Sequence, residues 1–177
     1  VVSDWALADN GNFALTFLQM PGATGSAGDP DGGPIPMGAS FAGQMQSASD
    51  LDAFQFYGGA GVRVMLTAVS GSGNLDTDMY LYPPGGGAAV ATSHGAFGGG
   101  DFLEFQLTST GVHTLVVADW SLSQTGAYHV TYLKTPGSVS WQGDRDGGLI
   151  KIEGIGFPAF PAASQGDVGV QGDLDAF

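Results

Sequence analysis

The sequence contains no cysteine, so disulfide staples, thiol nucleophiles and thiolate metal sites are all excluded. Basic residues are nearly as scarce. Arg63, Lys134, Arg145 and Lys151 stand against 17 acidic residues, giving a formal charge of −13. Such a surface repels polyanions, which argues against nucleic acid and anionic membrane as partners and favours calcium. No apolar run approaches the roughly 18 residues of a spanning helix, so no membrane span is expected. Charged residues reach only 12%, about half the usual share. No Gly-x-Ser-x-Gly elbow and no His-x-x-x-His pair occurs, and the chain is not expected to be an enzyme.

What is present is glycine, 31 residues in 177, and a 43% hydrophobic share sufficient for a packed core. Gly costs about 1 kcal/mol per helical position relative to Ala, so this composition suits short strands and tight turns better than helices.

The chain also repeats itself. VVSDWALADNGNFALTFLQMPG from Val1 recurs as VVADWSLSQTGAYHVTYLKTPG from Val116, with ten of 22 positions identical. Composition alone predicts roughly one or two. GDPDGGPI (28–35) returns as GDRDGGLI (143–150), and DLDAF (50–54) as DLDAF (173–177). These blocks imply a tandem repeat cut out of register. Residues 1–22 read as the C-terminal hairpin of a preceding repeat, 23–137 as one complete repeat, and 138–177 as a linker and the first strand of the next.

Within one repeat, residues 21–33 read as loop. Period-two alternation marks strands at 53–57, 61–69, 78–82, 88–93, 102–107, 112–120 and 126–133. Phe54 and Phe56 share one face. Val62, Val64, Leu66 and Ala68 share another, opposite Arg63 and Thr67. The expected fold is all-β, an antiparallel β-sandwich with jelly-roll or Greek-key connections.

DLDAFQF (50–56), GVRVML (61–66), DTDMYLYPPGG (76–86), TGVHTLVVADW (110–120) and GAYHVTYLKTPG (126–137) together resemble the bacterial pre-peptidase C-terminal domain family. The resemblance covers about 50–133, with echoes at 1–20 and 172–177. It implies a β-sandwich of the kind that accompanies secreted peptidases and aids secretion, substrate attachment or surface retention. Some relatives bind collagen and use calcium near the linker. No peptidase segment is present in this sequence.

The most chemical feature is a set of Asp-x-Asp pairs. Asp29, Asp31, Asp50, Asp52, Asp144 and Asp146 are candidate calcium ligands, because calcium takes six to eight oxygens and Gly32-Gly33 and Gly147-Gly148 let the loops close tightly. The alternative is turn chemistry, in which Asp satisfies nearby backbone amides. Asp76/Asp78 and Asp173/Asp175 follow the same pattern. His113 and His129 alternate with apolar strand residues and are expected to face solvent. Trp5 and Trp120 both follow Val-Val-x-Asp and are expected to anchor the fold, while Trp141 stands beside the linker.

An orphan hairpin exposes unpaired edges, which strand donation between neighbouring copies satisfies. The expected interface residues are Val1, Val2, Trp5, Phe13, Phe17, Trp141 and Phe177. The expected function is a structural, extracellular repeat of a bacterial secreted or surface protein, assembling with itself into a filament or fibre. The alternatives are an adhesive module for a glycan or matrix protein and an accessory domain of a secreted hydrolase.

Overall fold

In a computed structural model that describes residues 2, 10–13, 15–19, 30–38, 40–71, 74–95 and 100–135, turns rich in Gly, Pro and Asp divide the described residues into nine strands. The strands are β1 (Gly33–Pro34), β2 (Ser40–Met45), β3 (Leu51–Gly58), β4 (Arg63–Ser70), β5 (Thr77–Tyr82), β6 (Ala91–His94), β7 (Gly100–Gln106), β8 (Gly111–Asp119) and β9 (Gly126–Thr135). Among the described residues there is no helix, hence none long and apolar enough to cross a membrane.

The pairing is nested. β5 pairs with β6, β4 with β7, β3 with β8 and β2 with β9, all antiparallel. That is one long hairpin folded over on itself. Pairing of β5 with β8 and of β4 with β9 then closes two sheets. The first runs β1-β3-β8-β5-β6 and the second β2-β9-β4-β7. This is the jelly-roll order, so the molecule is an all-β sandwich. Nearly every connection passes from one sheet to the other, which commits both sheets to one core.

That core follows from alternation. Phe54 and Phe56 on β3 point inward against Tyr128 and Tyr132 on β9 and are buried. Phe54 meets Phe41 and Tyr128 edge-on at centroid distances of 5.7 and 6.5 Å, and Phe56 stacks on Tyr132 at 4.4 Å. Val64, Leu66 and Ala68 of β4 and Met79 and Leu81 of β5 fill the space between. Each such Val, Leu, Met or Phe side chain contributes about 1.5–3 kcal/mol through burial.

Four expectations change. β1 and β2 lie where no strand is expected. β2, SFAGQM, carries a glycine at its inward position 43, so its apolar alternation is broken. Thr67 and Thr131 are buried although they lie opposite the core; they stand directly across from each other on β4 and β9, the interior strands of their sheet, with a paired strand along each edge. His113 is buried rather than solvent-facing. It shares the inward face of β8 with Leu115 and Val117, stacks on Phe56 at 5.6 Å, and its Nδ1 lies 3.1 Å from the Gly111 carbonyl. Residues 88–90 form a bend before a shorter β6, held by the Val90 N–H donating to Leu81 O at 2.7 Å.

Candidate functional site

All seven described aspartates lie at one end of the sandwich: Asp31, Asp50, Asp52, Asp76, Asp78, Asp101 and Asp119. β3, β5 and β7 start at that end and β8 stops there, as the register of Leu51 with Ala118 and Thr77 with Asp119 requires. Arg63 and Lys134, the described basic residues, lie at the opposite end, where β4 starts and β9 finishes. The sandwich is therefore electrically polar along its strands.

One group of acids surrounds the incoming chain. Asp31 Oδ2 accepts from the Gln44 N–H at 2.9 Å and from Gln46 Nε2 at 2.7 Å. Asp50 accepts from the Gln46 N–H at 2.7 Å and, through Oδ1, from the Leu51 N–H at 3.1 Å. Asp52 points into the interior and accepts from the Tyr128 hydroxyl. Burial, followed by the nearby Asp52 and then Asp31 and Asp50, pushes the Tyr128 phenol well above its usual 10.0. The structure thus brings Asp31, Asp50 and Asp52 to one place and adds Tyr128, which no sequence pattern marks.

The second group lies where β5, β6 and β7 converge. Asp78 Oδ2 accepts from Tyr80 Oη at 3.0 Å and lies 3.1 Å from His94 Nδ1. His94 packs edge-on against both Tyr80 and Trp120, each at 5.6 Å. Burial, with the hydrogen bond to Asp78, raises Tyr80 to about 12. Asp101 Oδ1 accepts from Ser93 Oγ at 2.9 Å. Burial, with the charges of Asp78 and Asp76, raises its acid from 3.8 to about 6.

Asp119 does structural work. It accepts from Ser121 Oγ (2.7 Å) and the N–H groups of Ser123 (2.9 Å), Gln124 (3.1 Å) and Asp76 (3.3 Å). Burial alone would raise its acid, but these donors outweigh burial and hold it below 3.8. The signal for Asp119 was present in the sequence, since Asp4 stands at the matching place in the repeated Val-Val-x-Asp-Trp block.

Trp120 is 61% exposed. Its main chain, not its ring, is the anchor, through an N–H donated to Asp76 O at 2.7 Å. Val2, Phe13 and Phe17 are exposed. Asp29, Asp144, Asp146, Val1, Trp5, Trp141 and Phe177 lie outside the described residues. Among the described residues, no three acidic or histidine side chains meet closely enough to enclose a metal ion.

No protein-family model matches the chain, and no curated protein sequence matches it. Solved structures that it is similar to include the pre-peptidase C-terminal domain of a collagenase from Bacillus anthracis, at 14% identity and a TM-score of 0.49, covering 58% of this chain and 96% of that one. Two others are periplasmic inhibitors of g-type lysozyme. The Aeromonas hydrophila inhibitor has 13% identity, a TM-score of 0.47 and coverage of 59% and 96%. The Salmonella Typhimurium inhibitor has 17% identity, a TM-score of 0.43 and coverage of 59% and 99%.

Proposed function

We propose that this chain is part of a non-catalytic, extracellular repeat protein whose sandwiches are joined end to end into a filament or surface fibre. The observation that carries the reading is the placement of the two chain ends of the sandwich. The chain comes in beside Asp31 at the acidic end and leaves after Thr135 at the opposite end. A repeat with that geometry extends along its strands when it is copied.

The N-terminal segment supports the same reading. Phe13, Leu15 and Phe17 match Tyr128, Val130 and Tyr132 at the repeat offset. The latter three are buried core residues of β9, whereas Phe13, Leu15 and Phe17 are 68%, 74% and 82% exposed. On this reading the sequence 1–22 corresponds to the closing hairpin of another sandwich, and the apolar side chains of Phe13, Leu15 and Phe17 would be covered in that core. Calcium at Asp29, Asp31, Asp50 and Asp52, and at Asp144 and Asp146 in the next linker, would neutralise the acidic end where successive repeats meet.

Small-angle scattering on protein with one, two and three repeats tests this. The ten residues of β9 span about 33 Å, so maximum dimension should grow by roughly 35–45 Å per added repeat. A compact particle whose dimension grows only with the cube root of mass would overturn it.

A second reading, an adhesive module, is favoured by Trp120, whose exposed ring packs edge-on against His94 and could serve as a stacking surface for a sugar or a matrix protein. Loss of ligand capture in Trp120→Ala, with the fold retained, would establish it.

A further inference from the structure

We propose that Trp120 and Leu122, in the turn after β8, form an apolar knob by which one sandwich docks on the Tyr57–Val112 patch at the far end of the preceding copy. This contact rests on the end-to-end reading and names the two surfaces that meet.

Within the described sandwich, 30–135, the large hydrophobic side chains left in water are Tyr57, Phe102, Val112, Trp120 and Leu122. Four of these five form two groups at opposite ends. Trp120 and Leu122, 61% and 48% exposed, follow β8 at the acidic end where the chain enters. Tyr57 and Val112, 66% and 48% exposed, stand directly across from each other on β3 and β8 at the end where the chain leaves. Each alternates with an inward neighbour, Phe56 or His113, so both stand on the outer face of their sheet.

The backbone of the knob is held under strain. Leu122 has a φ of 52° and Ser49, in the turn before β3, a φ of 66°. Both are left-handed conformations that a side chain disfavours. The two residues are bonded together, with Ser49 donating its N–H at 3.0 Å and its Oγ at 3.3 Å to the Leu122 carbonyl. The Leu122 N–H donates to Asp119 O at 3.0 Å, and the Asp119 carboxylate accepts from the Ser123 and Gln124 amides. An apolar side chain is thus held out in water on a fixed, strained turn, as a pre-organised contact requires.

The repeat carries the same knob. The blocks from Val1 and Val116 share ten of 22 positions. Among the shared positions, Val116, Val117, Thr131 and Leu133 are buried and Asp119 braces the turn, so packing accounts for them. Packing does not account for Trp120 and Leu122, which are exposed yet have Trp5 and Leu7 at the matching places in the sequence. A contact made once per repeat does.

The partner is therefore another copy of this sandwich. The two ends are also complementary in charge. The described aspartates lie at the end that bears the knob. Lys134 and Arg63, the latter bridged to Glu104 at 2.8 Å, stand at the Tyr57–Val112 end. A knob at one end and its seat at the other make a heterologous contact, which extends without closing.

The cysteine-free sequence allows a direct test. Within one sandwich, positions 112 and 122 are separated by most of the length of β8, roughly seven residues or about 23 Å. A disulfide reaches only about 7 Å between Cα atoms. The 177-residue chain carrying Val112→Cys and Leu122→Cys can therefore link only between molecules. Mild oxidation should give a ladder of trimers and larger species on a non-reducing gel. Either single cysteine should stop at dimers. Leu122→Cys combined with Ala42→Cys, exposed on the other sheet, should give no ladder. In the cysteine-free protein, Leu122→Asn or Trp120→Ala should weaken self-association in sedimentation by about tenfold or more, with the thermal melt unchanged. A missing ladder, or an equal ladder with Ala42→Cys, overturns the proposal. If the ladder is missing while the maximum dimension still grows with each added repeat, the end-to-end reading stands and this contact falls. Loss of sugar capture in Trp120→Ala with self-association intact overturns it as well, making the turn a sugar platform. If the double-cysteine protein misfolds, sedimentation of Leu122→Asn against wild type decides.

Discussion

Tyr128 on β9 donates its hydroxyl to Asp52 on β3, joining the two sheets through their shared interior by residues 76 apart in sequence. Both are buried, so neither can exchange this bond for one with water. Tyr128→Phe removes the donor and keeps the ring. The expected loss is about 2–3 kcal/mol, the cost of leaving a buried carboxylate short of a donor. Urea denaturation with an unchanged m-value is the measurement. Gly43 on β2 lies under the same ring, and a methyl there meets the Tyr128 Cζ and hydroxyl directly. Gly43→Ala should therefore destabilise by a similar amount through a different route, overpacking.

Asp119 holds the turn that follows β8. Asp119→Ala strands four donors and should cost about 1–3 kcal/mol. Its turn contains Leu122 at a φ of 52°, a left-handed conformation that a Leu disfavours. Leu122→Asn should consequently be neutral or mildly stabilising. Because the folded acid of Asp119 lies below 3.8, its contribution is complete above that pH and is lost as pH falls through the folded value. Wild-type protein should show a steeper acid limb below pH 3.8 than Asp119→Ala, read from melting temperature against pH.

His113 makes a second, separate pH prediction. Burial lowers its folded value below 6.5, outweighing the Gly111 carbonyl that favours the charged ring. The unfolded chain then binds a proton that the folded chain resists. Stability from this residue is complete above pH 6.5 and declines as pH falls from 6.5 towards the folded value. His113→Phe, which retains the stack on Phe56, should flatten the stability profile over that interval.

Trp120→Ala should leave stability within about 0.5 kcal/mol of wild type, since the ring is largely exposed and its anchoring bond is made by the main chain. A loss of several kcal/mol in a thermal melt would restore the ring to a structural role.

The strands that alternate cleanly were legible in the sequence. Val64, Leu66 and Ala68, and Tyr128, Val130 and Tyr132, announce their faces by type alone. β2 was not legible because Gly43 occupies the core position under Tyr128, where a larger side chain has no room. His113 was misread because it stands in phase with Leu115 and Val117, so it occupies a core position on the inward face of β8 and not the polar face. The linker acids were legible as Asp-x-Asp pairs, but Asp101 stands alone in sequence. It joins Asp76 only because β7 follows β6 across the sheet boundary.

The entry of the chain into the sandwich beside Asp31 and its exit after Thr135 at the opposite end have a mechanical consequence. Tension applied through Asp31 and Thr135 runs along the strands, not across them. The six paired positions of β2 with β9, and the eight of β4 with β9, are then loaded together in shear. A ladder pulled this way must break many hydrogen bonds at once, whereas a hairpin opened from its end yields one bond at a time. Under the proposed end-to-end arrangement, a string of such sandwiches would carry load along its length.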